Sequence, residues 1–261
     1  MAIMPRIQKM LQRPQSALSV GRRRESEHTN NPHALQEDAL RAMLMDDPNN
    51  ERAFLALVDL VADNAVHGDE QEVSDNPGLD PLFGDPEEIQ QHDAQTDAEL
   101  VEERRLVAMW ALAEEYAGHP KGWYPMIQLA RLSLETNAED SMRRFNAGIS
   151  RDDTGQALAK SIDLLRDSHL VQEAYALGAG HWRARDHHPI AGVAVVRAAL
   201  DCGKVSEAHS HLSELQEHYD ATQISELDPA LVSDVERAYA QLAHEDSDGQ
   251  AAPHTEGGAA D

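Results

Sequence analysis

Asp47-Pro48-Asn49-Asn50-Glu51-Arg52-Ala53-Phe54-Leu55-Ala56-Leu57 is a break followed at once by a helix opening. Proline at 48 stops whatever precedes it, because it lacks the N–H donor and crowds the preceding turn. Behind it Ala53, Phe54, Leu57, Val58, Val61 and Ala62 recur at helical spacing and make a broad apolar stripe that ends near His67-Gly68. Ahead of it Leu35, Ala39, Met43 and Leu44 fall at the same spacing from Pro32 onward. Two helices joined by so short a turn lie antiparallel.

The pattern continues outward along the chain. Thr96-Asp97-Ala98-Glu99 has the form of a capping box and opens a helix expected to run to Gly118. Trp123, Ile127, Ala130 and Leu134 mark a helix over about 121–135, and Asn137 or Ala138 begins another with Met142, Phe145 and Ile149, closed near Gly148. Asp153-Thr154-Gly155-Gln156 precedes Leu158, Ile162 and Leu165, while Ser168 is a candidate cap for a short helix ending at Gly178-Ala179-Gly180. Pro189 starts a very apolar helix stopped by Gly203; Val205 to Tyr219 follow. Asp228-Pro229 supplies a cap and an N1 proline for a last helix carrying Leu231, Val235 and Leu242. The total is about ten helices and no convincing strand, so the expected class is all-α. The low aromatic content of 4%, with abundant Ala and Leu, suits close helix packing over a β-sandwich.

The helix boundaries have a period. Pro120, Thr154 and Pro189 are separated by 34 and 35 residues, and Pro48 to Pro120 is 72, close to two steps of about 34. On these residues the chain resembles the tetratricopeptide repeat family. The best match is the stretch at 47–57, where Phe54 takes the place of the family's Trp and Leu57 that of its Leu. Val58 and Val61 depart from its usual Gly and Tyr. Leu129-Ala130 fits its Leu-small pair, and Gly203 to Ala208 with Leu212 resembles its turn and second-helix step. A HEAT-like array or an irregular bundle would also produce such punctuation. The resemblance implies an α-solenoid of about five antiparallel helix pairs over 33–243, whose first helices line a groove that holds a peptide or protein. In that register Arg52, Leu55 and Asp59 of one repeat and Tyr124, Ile127 and Arg131 of another face the groove.

Three segments fall outside the repeat pattern. Residues 1–31 are polar and proline-marked, and residues 1–24 hold Arg6, Lys9, Arg13, Arg22, Arg23 and Arg24 without an acid. They read as a disordered basic arm, with a faint likeness to an organellar transit segment that Pro5 and Pro14 interrupt. Residues 67–96 contain three prolines and two glycines beyond Gly68, and no Lys or Arg lies between Arg52 and Arg104. An acidic, disordered insertion is expected between the first helix pair (32–66) and the repeat region (97–244). Residues 245–261 read as an acidic disordered tail.

Beyond residue 24 the chain carries 16 basic against 47 acidic residues, and the whole has a formal charge of −25. A surface of that sign repels nucleic acid and anionic lipid and complements a basic partner, besides keeping the protein in solution. Cys202 is the single cysteine, so no intrachain disulfide forms; together with the lack of a membrane-length apolar run this points to the cytoplasm. Eighteen Arg against four Lys, with much Ala, Asp and His, is a high-GC bacterial composition.

Catalytic constellations are scarce. Asp153-Thr154-Gly155 spells an aspartic-protease signature, but that chemistry needs two carboxylates on strand-borne loops, and a helix cap is the expected role. Gly155 to Lys160-Ser161 resembles a phosphate loop whose spacing fails, since Ala159 stands where glycine is required. His181, His187, His188, His209, His211 and His218 cluster in sequence without the i, i+4 pairing of a helical zinc site. With fourteen histidines, the net negative charge should shrink between pH 7 and 5.5. Trp182 beside Arg183, Arg185 and Asp186 suggests a cation–π contact or a small binding patch. No enzyme activity, cofactor or metal is expected. The reading is an adaptor, with an acidic mimic acting through the 67–96 loop and the tail as the alternative; partner identity and oligomeric state have no signal.

Overall fold

The computed structural model describes residues 32–73 and 86–250. The arm (1–31), the centre of the expected insertion (74–85) and the end of the tail (251–261) lie outside the described residues. The described chain forms eleven helices and no strand, so the all-α class holds. The helices fall into two compact units divided between Arg151 and Asp152.

The first unit contains α1 (Pro32–Asp46), α2 (Glu51–Val73), α3 (Pro86–Ala117), α4 (Trp123–Ser133) and α5 (Ala138–Ile149). Each packs against the next along the chain. The core is formed by Leu44, Phe54, Leu57, Met109, Leu112, Tyr116, Tyr124, Leu129 and Leu132, with Ala53, Ala62, Ala108 and Ala113 between them. Alanines at these places let helix axes approach closely, and the large side chains fill what remains. The Phe54 and Tyr124 rings meet edge to face at 5.4 Å, joining α2 to α4.

The turns explain why the stack is specific. Asn50 caps α2, its Oδ1 accepting the Ala53 N–H at 3.0 Å. Asn49 reaches away from its own turn: its Oδ1 accepts from Trp123 N (2.8 Å) and Tyr124 N (3.0 Å), and its Nδ2 donates to Lys121 O (2.8 Å). It thereby caps α4, whose own N-cap residue, Gly122, has no side chain to offer. A Cβ at Gly122 would lie 2.9 Å from Tyr116 O, so only glycine fits. Arg151 Nη1 donates to Ala117 O, His119 O and Gly122 O at 2.7–3.2 Å, satisfying carbonyls left open where α3 ends. Asn137 caps α5 through Asp140 N, as its sequence position suggested.

The second unit contains α6 (Gln156–Asp167), α7 (Val171–His181), α8 (Pro189–Asp201), α9 (Val205–His218), α10 (Ala221–Leu227) and α11 (Leu231–Gln250). The nearly all-apolar α8 packs against α6, α7, α9, α10 and α11. Val193, Val196 and Ala199 meet Ala208, Leu212, Leu215, Ile224, Leu231 and Val235 in its core. Glycines set two close approaches: a Cβ at Gly178 would lie 2.9 Å from Val195 Cγ2, and one at Gly192 2.5 Å from Leu215 Cδ1.

Several boundaries differ from the sequence expectation. Helix α2 runs through Gly68 to Val73, and α3 begins at Pro86, so Thr96 lies inside a helix and not at its start. The flanks of the expected 67–96 insertion are therefore helical. Glu, Gln and Ala in 87–99 are good helix formers, and extending a helix already anchored by packing is far easier than starting one. Likewise α11 continues to Gln250, into the expected tail. Gly148 lies inside α5, where a Cβ would stand 2.8 Å from Ile127 Cδ1, and Gly178 and Gly180 lie inside α7; they are packing or neutral positions, not stops. Ser168 ends α6 and donates to Leu164 O; Leu170 precedes α7. Asp228 accepts from Ala230 N at 3.1 Å, but α11 starts at Leu231, past Pro229. The short α10, held by a complete capping box between Asp220 and Gln223, was not expected.

Candidate partner-binding surface

The six residues that the repeat register assigned to a groove divide between surface and interior. Arg52 and Asp59 are exposed on α2, Leu55 is half-buried beside them, and Arg131 is exposed on α4. Tyr124 and Ile127 are 1% and 0% exposed: they belong to the core and cannot touch a partner. The reason is that α4 packs on both α3 and α5, with Phe54 of α2 against Tyr124. Little of its circumference is left open.

The open side of α2, α3 and α4 carries a charged cluster. Arg105 Nε donates to Asp59 Oδ1 at 2.8 Å, and that bond holds the guanidinium above its ordinary pKa despite partial burial. Burial, then the charge of Glu51 and its hydrogen bond to the phenol, push the Tyr124 hydroxyl well above its ordinary value, so Tyr124 is a neutral donor anchored to the base of α2. Arg131 stands near the same ring and its Nη2 lies 3.8 Å from Met109 Sδ. Neither Arg52 nor Arg131 makes a carboxylate ion pair among the described residues. In a chain with 47 acids and 22 bases, two exposed guanidinium groups without such a partner are notable, since each can donate to a carboxylate or a carbonyl from outside. Arg105 and Met109 escaped the sequence reading because their importance depends on which face of α3 meets α2.

Elsewhere the sequence motifs resolve into structural roles. Asp152, not Asp153, organises the start of α6: its carboxylate accepts from Thr154 N, Thr154 Oγ1 and Ala157 N at 2.6–3.0 Å. Gly155 adopts φ +83°, with a virtual Cβ 2.7 Å from His187, so its glycine serves a left-handed turn against a buried ring. Ser161 is buried and donates to Ala157 O, turned inward from where a phosphate would sit.

The histidines are scattered among separate tasks. His187 is buried, its Nδ1 accepting from Arg183 N, while Tyr219 Oη donates to the carbonyls of His187 and Ala184. Burial lowers the His187 pKa. His211 lies edge-on to Trp182 with ring centroids 5.5 Å apart, and 3.5 Å from Tyr175 Oη; burial lowers its pKa too. His209 stacks on Tyr239 at 4.1 Å, and His188 caps Ile190 N ahead of Pro189. Among the described residues no three His, Cys, Asp or Glu side chains converge as metal ligands. Trp182 takes His211 as its ring partner, and Arg183 pairs with Asp186 at 3.1 Å, in place of the cation–π contact considered from sequence. Cys202 Sγ donates to Val171 O, and burial raises its pKa, away from the thiolate a nucleophile requires.

No helix among the described residues is long and apolar enough to cross a membrane. Compared with known proteins, the chain matches no family model, no curated protein and no solved structure.

Proposed function

We propose that this protein is a scaffold of stacked antiparallel helix pairs, similar in build to tetratricopeptide repeats, that holds a protein or peptide segment on the open side of its first helices. The observation that carries this reading is periodic. Helices α4, α6 and α8 begin at Trp123, Gln156 and Pro189, steps of 33 residues, beside a family length of about 34. Each is followed by a shorter-range partner, α5, α7 or α9, that packs on it.

Packing within each unit supports the same reading. In the second unit α6 contacts α7 and also α8, and α8 contacts α9 and also α11; first helices thus touch one another as well as their partners. In the first unit the Phe54–Tyr124 contact links α2 to α4. Taking α2, α4, α6 and α8 as first helices gives four pairs, with α3, α5, α7 and α9 as their partners, α1 as a leading helix and α10 and α11 following the last pair. The binding residues in this proposal are Arg52, Leu55, Asp59 and Arg131, with Arg105 orienting Asp59; Tyr124 supports them from below. The role is binding and not catalysis; the single cysteine favours the cytoplasm, and the excess of Arg over Lys a bacterial source.

Affinity purification of the tagged full chain from its own cells, beside an Arg52→Glu/Arg131→Glu variant, tests this. Both substituted sites are exposed, so circular dichroism should be unchanged while the co-purifying partner is lost. Retention of the partner by the variant would count against this surface.

A second reading is favoured by charge. Arg41, Arg105, Arg143, Arg144, Arg166, Arg197 and Arg237 are all engaged by carboxylates of the same chain, which leaves the remaining acids to face a basic partner. Replacing residues 74–85 by an uncharged Gly-Ser segment of the same length and ending the chain at Gln250 separates the readings: an acidic mimic loses its partner, and a helix-face scaffold keeps it. The mimic's affinity should also fall more steeply with salt.

A further inference from the structure

On α1, Leu35 and Met43 are 58% and 53% exposed, and Ala39 between them is exposed as well. The spacing of four residues puts all three on one face of the helix. Ala42 adds to that face; Asp38 borders it on one side and Asp46 stands at its C-terminal end, both exposed. Arg41, the only Arg or Lys of α1, is turned the other way, bonded to Glu37 and to Glu115 of α3. The open face of α1 is therefore an apolar strip with acidic edges and no basic group.

A complementary segment lies in the same chain. Between Pro5 and Pro14 the sequence reads Arg6-Ile7-Gln8-Lys9-Met10-Leu11-Gln12-Arg13. At helical spacing Ile7, Met10 and Leu11 share one side, and Arg6, Lys9 and Arg13 lie about 120° round the axis from it. Proline suits the first position of such a helix and the place just beyond its end. The 18 residues from 14 to 31 connect it to Pro32. Eighteen residues are long enough to span on the order of 23 Å, and the 15 residues of α1 extend about 22 Å, so the segment has the reach to return along the whole strip. Tethering supplies an effective concentration near the millimolar range, enough for a contact too small to hold two separate molecules. A second copy of the chain is the poorer occupant, because two strips with acidic edges repel one another.

We infer that the open face of α1 is a docking strip for the chain's own residues 5–13, seated in cis with Ile7, Met10 and Leu11 on Leu35, Ala39 and Met43 and with the basic side chains toward Asp38 and Asp46. This does not depend on the scaffold reading. Its consequence is that the basic segment is sequestered until something displaces it.

The test uses the full chain with Cys202→Ser and Gln8→Cys, a nitroxide on the new cysteine, and methyl spectra of Leu and Met. Seated in cis, the label removes the Met43 and Leu35 methyl signals. Reducing the nitroxide restores them, and so does adding Ile7→Glu with Leu11→Glu, with circular dichroism as the check that the described helices stay folded. Signals that persist beside the intact nitroxide overturn the inference, as does equal loss in the glutamate variant. A mixture of isotope-labelled chains without nitroxide and unlabelled chains with it must keep the signals; loss there would assign the strip to a second copy and also overturn the inference.

Discussion

Replacing Asn49 by Ala removes a side chain that holds together two turns more than 70 residues apart in sequence. Three hydrogen bonds disappear, to Trp123 N, Tyr124 N and Lys121 O, and the first two are the N-terminal cap of α4. Losing a cap costs roughly 0.5–2 kcal/mol, and a further hydrogen bond contributes about 0.5–1.5 kcal/mol. Asn49 is partly solvated, which favours the lower half of each range, so the sum is about 1.5 kcal/mol. With a urea m-value of about 2 kcal/mol/M, the midpoint of unfolding of this unit falls by roughly 0.7 M. Asn49→Asp separates the roles. It keeps an acceptor for both N–H groups and puts a negative charge at the start of α4, which the helix dipole favours, while losing only the bond to Lys121 O. Its cost should stay under about 1 kcal/mol. Urea titration followed at 222 nm measures both. An Asn49→Ala midpoint equal to wild type, or an Asp variant as damaged as the Ala variant, would refute the argument that this side chain caps α4 across the turns.

Glycines in α7 should respond in opposite directions to the same change. Gly178→Ala forces a methyl against Val195 and Ile162 and should cost about 1–3 kcal/mol, whereas Gly180→Ala, with nothing within 4 Å, should gain up to about 1 kcal/mol; thermal unfolding of each variant reads the sign. Stability should decline on acidification below the unfolded histidine value of about 6.5. His187 and His211 have folded pKa values lowered by burial, so the unfolded chain binds protons first and the loss grows as pH falls toward the folded values. His211→Gln should flatten the urea midpoint between pH 7 and 5. Arg197 grips Asp228 through Nε and Nη2 and Asp234 through Nη1 at 2.5–2.7 Å, holding both carboxyls below their ordinary range. Their contribution is present above the unfolded carboxylate value and is lost as pH falls through the folded ones, so Arg197→Met should lower stability at pH 7 and weaken its pH dependence below about pH 4.

What could be read from the sequence depended on whether local chemistry or tertiary contact decides the matter. Pro189 ahead of a run of Ile, Val and Ala announced α8, and Asn137 announced its own capping role, because both signals act within one turn of helix. Asn49 and Asn50 look alike in sequence, yet Asn50 caps its own helix and Asn49 a distant one, a distinction only the packed turns reveal. Tyr124 and Ile127 were misplaced because a groove register assumes that one side of every first helix stays open. Eight of the eleven residues of α4 are buried, and the hint lay in its composition, since Gln128, Arg131 and Ser133 are its only side chains that are neither apolar nor aromatic. Glycine was ambiguous in the same way: Gly148 and Gly178 resemble helix stops until a neighbouring side chain is seen occupying the space a Cβ would need.

The central proposal is that within each unit helix pairs stack with their first helices in contact, and the Phe54–Tyr124 edge contact at 5.4 Å tests it most directly in the first unit. With three Phe and five Tyr in the chain, selective aromatic labelling makes the ring signals assignable by single substitution. Strong cross-relaxation between the Phe54 and Tyr124 rings is the predicted result. A Phe54 ring that sees only α1 and its own helix, with Tyr124 free to solvent, would contradict the stack and return Tyr124 to an open surface.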